Sequence, residues 1–194
     1  SSYQQVLSSL KQTSIYLHAV RQKREGWNLS SLDEEERKAS VKTAITAVKT
    51  AGQGGAAAVL ITSGKRPGRA EDLKKAVEAL EQSLVELLDR CEIPLLLEPG
   101  DCDVHMCQTV GATSMAIDLL KRINSPLLSL TMDTSHLAQL GEDITNALTL
   151  ARSWCGHVHL ANCVLKAGHP LFGDKHPFFS EPDSVFSSES LKAI

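Results

Sequence analysis

Aromatic side chains are scarce in this 194-residue chain: two Trp, two Tyr and four Phe, 4% of the total. The formal net charge is −3. A surface that grips nucleic acid needs basic side chains interleaved with stacking rings, so nucleic acid is an unlikely partner on composition. No uncharged apolar run approaches the roughly 18 residues that span a bilayer. Ser1-Ser2-Tyr3-Gln4-Gln5 carries no basic patch leading into an apolar stretch, so no secretory signal is read. The five cysteines, at 91, 102, 107, 155 and 163, are odd in number and form no Cys-x-x-Cys pair. That argues against a disulfide framework and a zinc knuckle and for a reducing, cytoplasmic setting. Cys102 to Cys107 reads as ordinary loop and helix residues.

Familiar nucleotide and hydrolase signatures are missing too. There is no Gly-x-Gly-x-x-Gly opening a helix, no phosphate loop ending Gly-Lys-Ser/Thr, and no Gly-x-Ser-x-Gly elbow. Gly52-Gln53-Gly54-Gly55 precedes an apolar run and so serves as a connection. The chain is 42% hydrophobic and 22% charged. That mix buries a core, and the length suits one domain over residues 1–194.

Short apolar runs alternate with amphipathic ones. Strands are predicted at Ser14–Val20, Ala56–Thr62, Ile93–Glu98, Leu127–Met132 and His157–Ala161. Helices are predicted at Leu32–Thr50, Ala70–Arg90, Thr113–Ile123 and Asp143–Trp154, and a further one begins at Ser187. The second helix shows the clearest stripe, with Leu73, Ala76, Val77, Leu80, Leu84, Leu87 and Leu88 at helical spacing. Continuous apolar strands between helices are the mark of a parallel α/β sheet. A (β/α)8 TIM barrel and an open doubly wound sheet both satisfy this pattern.

Polar residues recur where predicted strands end. Glu98 follows Pro94-Leu95-Leu96-Leu97. Asp133 follows Leu130-Thr131-Met132, with His136 three residues on. His157 and His159 share one face of the last strand. In a barrel these ends converge on the active-site face. A carboxylate, an Asp-x-x-His and a histidine meeting there suit a divalent metal of the Mn, Co or Zn kind. The same residues also have plainer roles. Glu98 suits a salt bridge, Asp133-Thr134-Ser135-His136 suits a cap on the following turn, and either strand histidine suits the core. Lys65, Arg66 and Arg69 form one basic loop, read as a solvated connection.

Five segments in this order resemble the xylose isomerase-like barrel superfamily, which holds sugar isomerases and epimerases and the AP endonuclease family related to endonuclease IV. They are Leu96-Leu97-Glu98-Pro99, Gln108-Thr109-Val110-Gly111-Ala112-Thr113, Met132-Asp133-Thr134-Ser135-His136-Leu137, Gly156-His157-Val158-His159-Leu160-Ala161-Asn162 and Gly173-Asp174-Lys175-His176-Pro177. The resemblance implies that Glu98, Asp133 and His159 are three of four ligands of a divalent metal (Mn, Co, Mg or Zn). It implies that Glu98 also acts as catalytic base. His136, Asp174 and His176 would touch substrate or hold a second metal, and His157 would be a bystander. The activity implied is metal-dependent isomerisation or epimerisation of a sugar or sugar phosphate through an enediolate. The alternatives are a zinc phosphodiesterase like endonuclease IV and a barrel that has lost activity and serves in binding. A small sugar is the expected partner, with a homo-oligomer as a further expectation.

Departures from the family pattern accompany the match. The family's fourth ligand is a glutamate on the last strand, which does not occur before Ile194, and the first strand is also not evident. An incomplete barrel is therefore expected. The arginine that often follows the ligand histidine is replaced at best by Lys166.

Overall fold

The computed structural model describes residues 16–17, 28–187 and 189–190. Five strands are described: β1 (Tyr16–Leu17), β2 (Ala58–Thr62), β3 (Leu95–Glu98), β4 (Leu128–Asp133) and β5 (Cys155–His159). They form one sheet in the order β1-β2-β3-β4-β5, every neighbouring pair parallel. A doubly wound sheet reverses its strand order at a switch point. No reversal occurs among these strands, which run in sequence order like the wall of a (β/α)8 barrel. The predicted strand at Ser14–Val20 falls within the described residues only at Tyr16–Leu17, and the helix predicted from Ser187 lies within them only at residues 187, 189 and 190.

The helices are α1 (Glu34–Gln53), α2 (Leu73–Leu88, preceded by a 3-10 turn at Ala70–Asp72), α3 (Thr113–Ile123), α4 (Thr134–Gln139) and α5 (Ile144–Ala151). Local chemistry sets their starts. The Asp33 carboxylate accepts the Glu36 amide at 2.9 Å, and Asp143 accepts that of Asn146 at 2.9 Å. Each cap satisfies one of the amides left open at a helix start. The α3 cap position is Ala112, which has no side chain to offer. Glu142 serves instead from a distant loop, accepting the Thr113 amide at 2.9 Å and also the Thr113 hydroxyl. The short α4, absent from the sequence reading, starts straight out of β4.

The core lies between sheet and helices. Val59, Ile61, Leu95, Leu97, Leu128, Leu130 and Met132 pack with Val41, Ala44, Val48, Leu80, Leu84, Leu87, Ile117 and Leu120. Strand side chains alternate between faces, so Leu60, Leu96, Glu98, Ser129, Thr131 and Asp133 face the opposite, inner side. The α1–α2 contact carries one polar clamp. Arg37 is almost fully buried and reaches Glu34, Glu86 at 2.8 Å and the Ser83 hydroxyl at 3.1 Å.

One irregularity decides where the last strand points. Leu130 pairs with Cys155 but Thr131 pairs with His157, which leaves Gly156 as an extra residue. With strict alternation, Cys155, His157 and His159 would all face the helices beside Leu130. The bulge shifts the phase by one. His159 then pairs with Asp133 on the inner face. A Cβ on Gly156 would lie 2.4 Å from Ser129 Oγ, which suits a glycine there.

Candidate metal centre at the strand ends

Glu98, Asp133 and His159 are the last residues of β3, β4 and β5. Adjacent parallel strands bring such ends together. His159 Nδ1 lies 2.8 Å from Glu98 Oε1 and 3.5 Å from Asp133 Oδ2. His136, one turn into α4, brings a third donor group to Glu98 and Asp133, their ligand atoms all within 4.8 Å of one another. Both carboxylates and His136 are buried.

The loop after β5 completes the group. His176 Nε2 sits 2.7 Å from Asp174 Oδ1 and 4.0 Å from Asp133 Oδ2. Ser135 joins the two halves: its amide and hydroxyl reach Asp133 Oδ1 at 2.7 and 2.6 Å, and its Oγ lies 3.3 Å from His176 Nε2. All six predicted residues (Glu98, Asp133, His136, His159, Asp174 and His176) line one cavity of about 510 Å³, with Met106, Val158 and Leu160 on its apolar wall. His157 packs edge-on against the His159 ring, their centroids 4.9 Å apart.

The electrostatics follow from crowding. Burial works to raise the Asp133 carboxyl, but the facing His159 ring, the charge of His136 and the hydrogen bonds from Ser135 outweigh it and hold it down at about 2. Its partners Asp133 and Glu98 lift His159 to about 10. Asp174 raises His176, and burial lowers His157. Three atoms in the cluster are buried with no hydrogen-bond partner: Asp133 Oδ2, His136 Nδ1 and Asp174 Oδ1. An unpartnered buried polar atom costs free energy, and Asp133 and His136 are the residues whose ligand atoms cluster with that of Glu98. A mixed oxygen and nitrogen donor set of this kind fits a borderline divalent cation.

Several contributors were not evident from sequence. Asp101, fully buried, gathers the amides of Val104, His105 and Met106 at 2.6–2.7 Å, which turns loop 102–107 and sets Met106 in the cavity wall. An aspartate followed by a polar loop is too common to flag such a knot. The basic loop is tied to the same segment, Arg66 donating its amide to the Cys107 carbonyl at 2.8 Å, while Arg69 pairs with Glu71. Lys166, exposed, pairs with Asp183 at 3.0 Å. The cysteines are free, as the odd count suggested, and burial pushes the Cys163 thiol up to about 12.

A second histidine–carboxylate group, His169 with Glu181 and Asp183, has metal-like spacing. Its hydrogen bonding argues otherwise. His169 Nδ1 accepts the Leu171 amide at 3.1 Å, so in the neutral ring Nε2 carries the proton. That nitrogen faces Asp183 at 3.6 Å and Glu181 at 3.8 Å as a donor. The group ties two loop segments together.

Comparison with known proteins agrees with this architecture. A family model described as xylose isomerase-like TIM barrel matches residues 1–181, and the chain belongs to that family. No curated protein matches the sequence closely. Among solved structures, the chain is similar to a D-tagatose 3-epimerase-like protein (TM-score 0.75, 19% identity, 92% of this chain and 64% of that one). It is similar to the IOLI protein with a binding zinc atom (TM-score 0.70, 16% identity, 94% and 60%). It is also similar to an AP endonuclease, family 2, from Brucella melitensis (TM-score 0.68, 18% identity, 83% and 64%). The chain thus spans about 64% of the length of the epimerase-like relative.

Proposed function

We propose that this chain carries most of the active centre of a metal-dependent sugar or sugar phosphate isomerase or epimerase. The observation that carries this reading is the gathering of Glu98, Asp133, His136 and His159 at the strand ends, with Asp133 Oδ2 and His136 Nδ1 buried and unpartnered. Glu98, Asp133 and His159 would hold the cation. Nitrogen donors favour Mn, Co or Zn over Mg, which prefers oxygen and water. When bound, such an ion polarises a substrate carbonyl and an adjacent hydroxyl and so lowers the barrier to enediolate formation.

The remaining chemistry falls to the chain's own groups. Glu98, buried at the cavity wall, removes the proton from the carbon next to the carbonyl as general base. His136 and His176 are placed to hydrogen-bond substrate hydroxyls, and Asp174 fixes the orientation of the His176 ring. Met106 offers an apolar side to the sugar carbons. The similarity to sugar epimerases of low identity supports the same class of substrate.

A second reading, a zinc phosphodiesterase, draws on the Asp174–His176 pair 4.0 Å from Asp133, which could extend the centre to a second cation. Against it stand the acidic balance and the paired or loop-bound basic residues. The deciding experiment uses full-length protein purified without chelators. Metal analysis should find a bound divalent ion, and solvent deuterium should enter at least one C3–C6 keto-sugar at the carbon beside the carbonyl. Glu98→Gln should slow that exchange by roughly 10²–10⁴-fold. Cleavage of abasic-site DNA without deuterium incorporation would transfer the assignment to the phosphodiesterase. Absence of metal and of both activities would leave a binding protein.

A further inference from the structure

We infer that Thr134 is the positioning residue of this centre, the side chain that locks the end of β5 so that His159 meets Asp133 and Glu98. The inference rests on the proposed metal centre and goes beyond it to a residue that touches neither ion nor substrate. Thr134 is fully buried at the first position of α4, directly after Asp133. Its hydroxyl donates to the Ala161 carbonyl at 2.6 Å and accepts the Ala161 amide at 3.0 Å. The His159 carbonyl lies 3.4 Å from the same oxygen. One hydroxyl therefore grips both polar groups of the residue two positions beyond His159.

The grip matters because of where it falls. The β4–β5 ladder ends at the pair Asp133 and His159, and the next backbone bridge on this segment comes only at Val164, five residues on. His159 Nδ1 holds Glu98 Oε1 at 2.8 Å, a contact that an unrestrained strand end would not keep to a few tenths of an ångström. The bulge at Gly156 sets which way His159 faces, and Thr134 sets how far along the strand it stands. Ser135 does the equivalent for Asp133 and His176. The run Asp133-Thr134-Ser135-His136 thus sets two groups that hold the site in place between two that line the cavity.

The test compares Thr134→Val, which keeps the shape and loses both hydrogen bonds, with Thr134→Ser, which keeps the hydroxyl. Two readouts are used. Amide hydrogen exchange on metal-free protein reports the Ala161 N–H directly. Titration with Co²⁺ alone, followed by its visible absorption, reports affinity and ligand geometry. Thr134→Val should expose the Ala161 amide and weaken Co²⁺ binding roughly 10–100-fold, the range for groups that orient metal ligands. Thr134→Ser should stay within about threefold of the parent on both, since it preserves the bonded oxygen. Arg37→Ala, a destabilising change in the α1–α2 clamp, controls for stability and should leave Co²⁺ affinity unchanged. Parent-like affinity in folded Thr134→Val, or equal losses in Thr134→Val, Thr134→Ser and Arg37→Ala, would overturn the inference. A parent that binds no Co²⁺ would instead overturn the metal centre itself. Should Thr134→Val fail to fold, Thr134→Ala is read against Thr134→Ser with the same expectations.

Discussion

Replacing Gly111 with alanine tests whether the backbone behind the site is as tightly packed as the distances require. Gly111 lies in the run that leads into α3, and it meets three separate elements. A Cβ there would sit 2.4 Å from Cys102 Sγ, 2.9 Å from the Gly100 carbonyl oxygen and 2.9 Å from Leu140 Cδ2, where ordinary contact begins at 3.4 Å. The thiol and the leucine methyl can rotate aside. The carbonyl cannot, because Gly100 is held by its amide bond to the Val110 carbonyl at 3.1 Å. Relief therefore needs backbone movement two residues after Glu98. Overpacking of this kind costs about 1–3 kcal/mol, and the backbone contact puts Gly111→Ala near 2 kcal/mol, or roughly 4–8 °C in Tm for a chain of this size. Calorimetry or thermal circular dichroism measures it. Adding Cys102→Ala removes the closest contact and leaves the carbonyl, so the double variant should recover less than half of the loss. A Gly111→Ala protein melting within about 1 °C of the parent would refute the argument, as would full rescue by Cys102→Ala.

The pH profile of the metal-free protein provides another check. Asp133 is held at about 2 against an ordinary 3.8, so its contribution is present above 3.8 and is lost as pH falls through about 2. His159 is lifted to about 10 against an ordinary 6.5, so its contribution is full below 6.5 and is lost as pH rises through about 10. Tm should therefore be flat between those ordinary values and decline on both sides, and Asp133→Asn should flatten both limbs. Unchanged limbs in Asp133→Asn would contradict the pairing. In the proposed metal centre a cation would take the place of the His159 proton, so Co²⁺ affinity should climb as pH rises toward 10, by about tenfold per unit; an affinity independent of pH would show that the His159 proton is not displaced. At the α1–α2 clamp, Arg37→Ala should lower the unfolding free energy by about 1–3 kcal/mol, read as a lower urea midpoint at unchanged slope. The figure is modest because Glu34 and Glu86 are half exposed and regain water. A loss under 0.5 kcal/mol would mean the buried guanidinium contributes nothing net.

Much of this protein is readable along the chain. The stripe on α2 and the apolar runs of β2, β3 and β4 each carry their own period, since a helix face and a buried strand are properties of neighbouring residues. Glu98, Asp133 and His159 stood out because a charged group at the end of an apolar strand needs a partner, and a parallel sheet supplies one at its end. The basic loop and the free cysteines followed from the same local rules, whereas the choice between a barrel and a doubly wound sheet needed the strand order. Other features had no local signal. Glu142 caps α3 from 29 residues away in sequence, and Asp101 knots a loop whose composition is ordinary. Which way His159 faces depended on a single extra residue at Gly156, which period alone cannot reveal. Whether Thr134 merely capped a turn or held β5 depended on what the fold brought against it. Periodicity and charge act between residues close in sequence, and so the sequence by itself determined the elements and the chemical groups at their ends. Register, bulge and long-range hydrogen bonds act between segments that meet only after folding, and so only the tertiary structure decided that those groups converge.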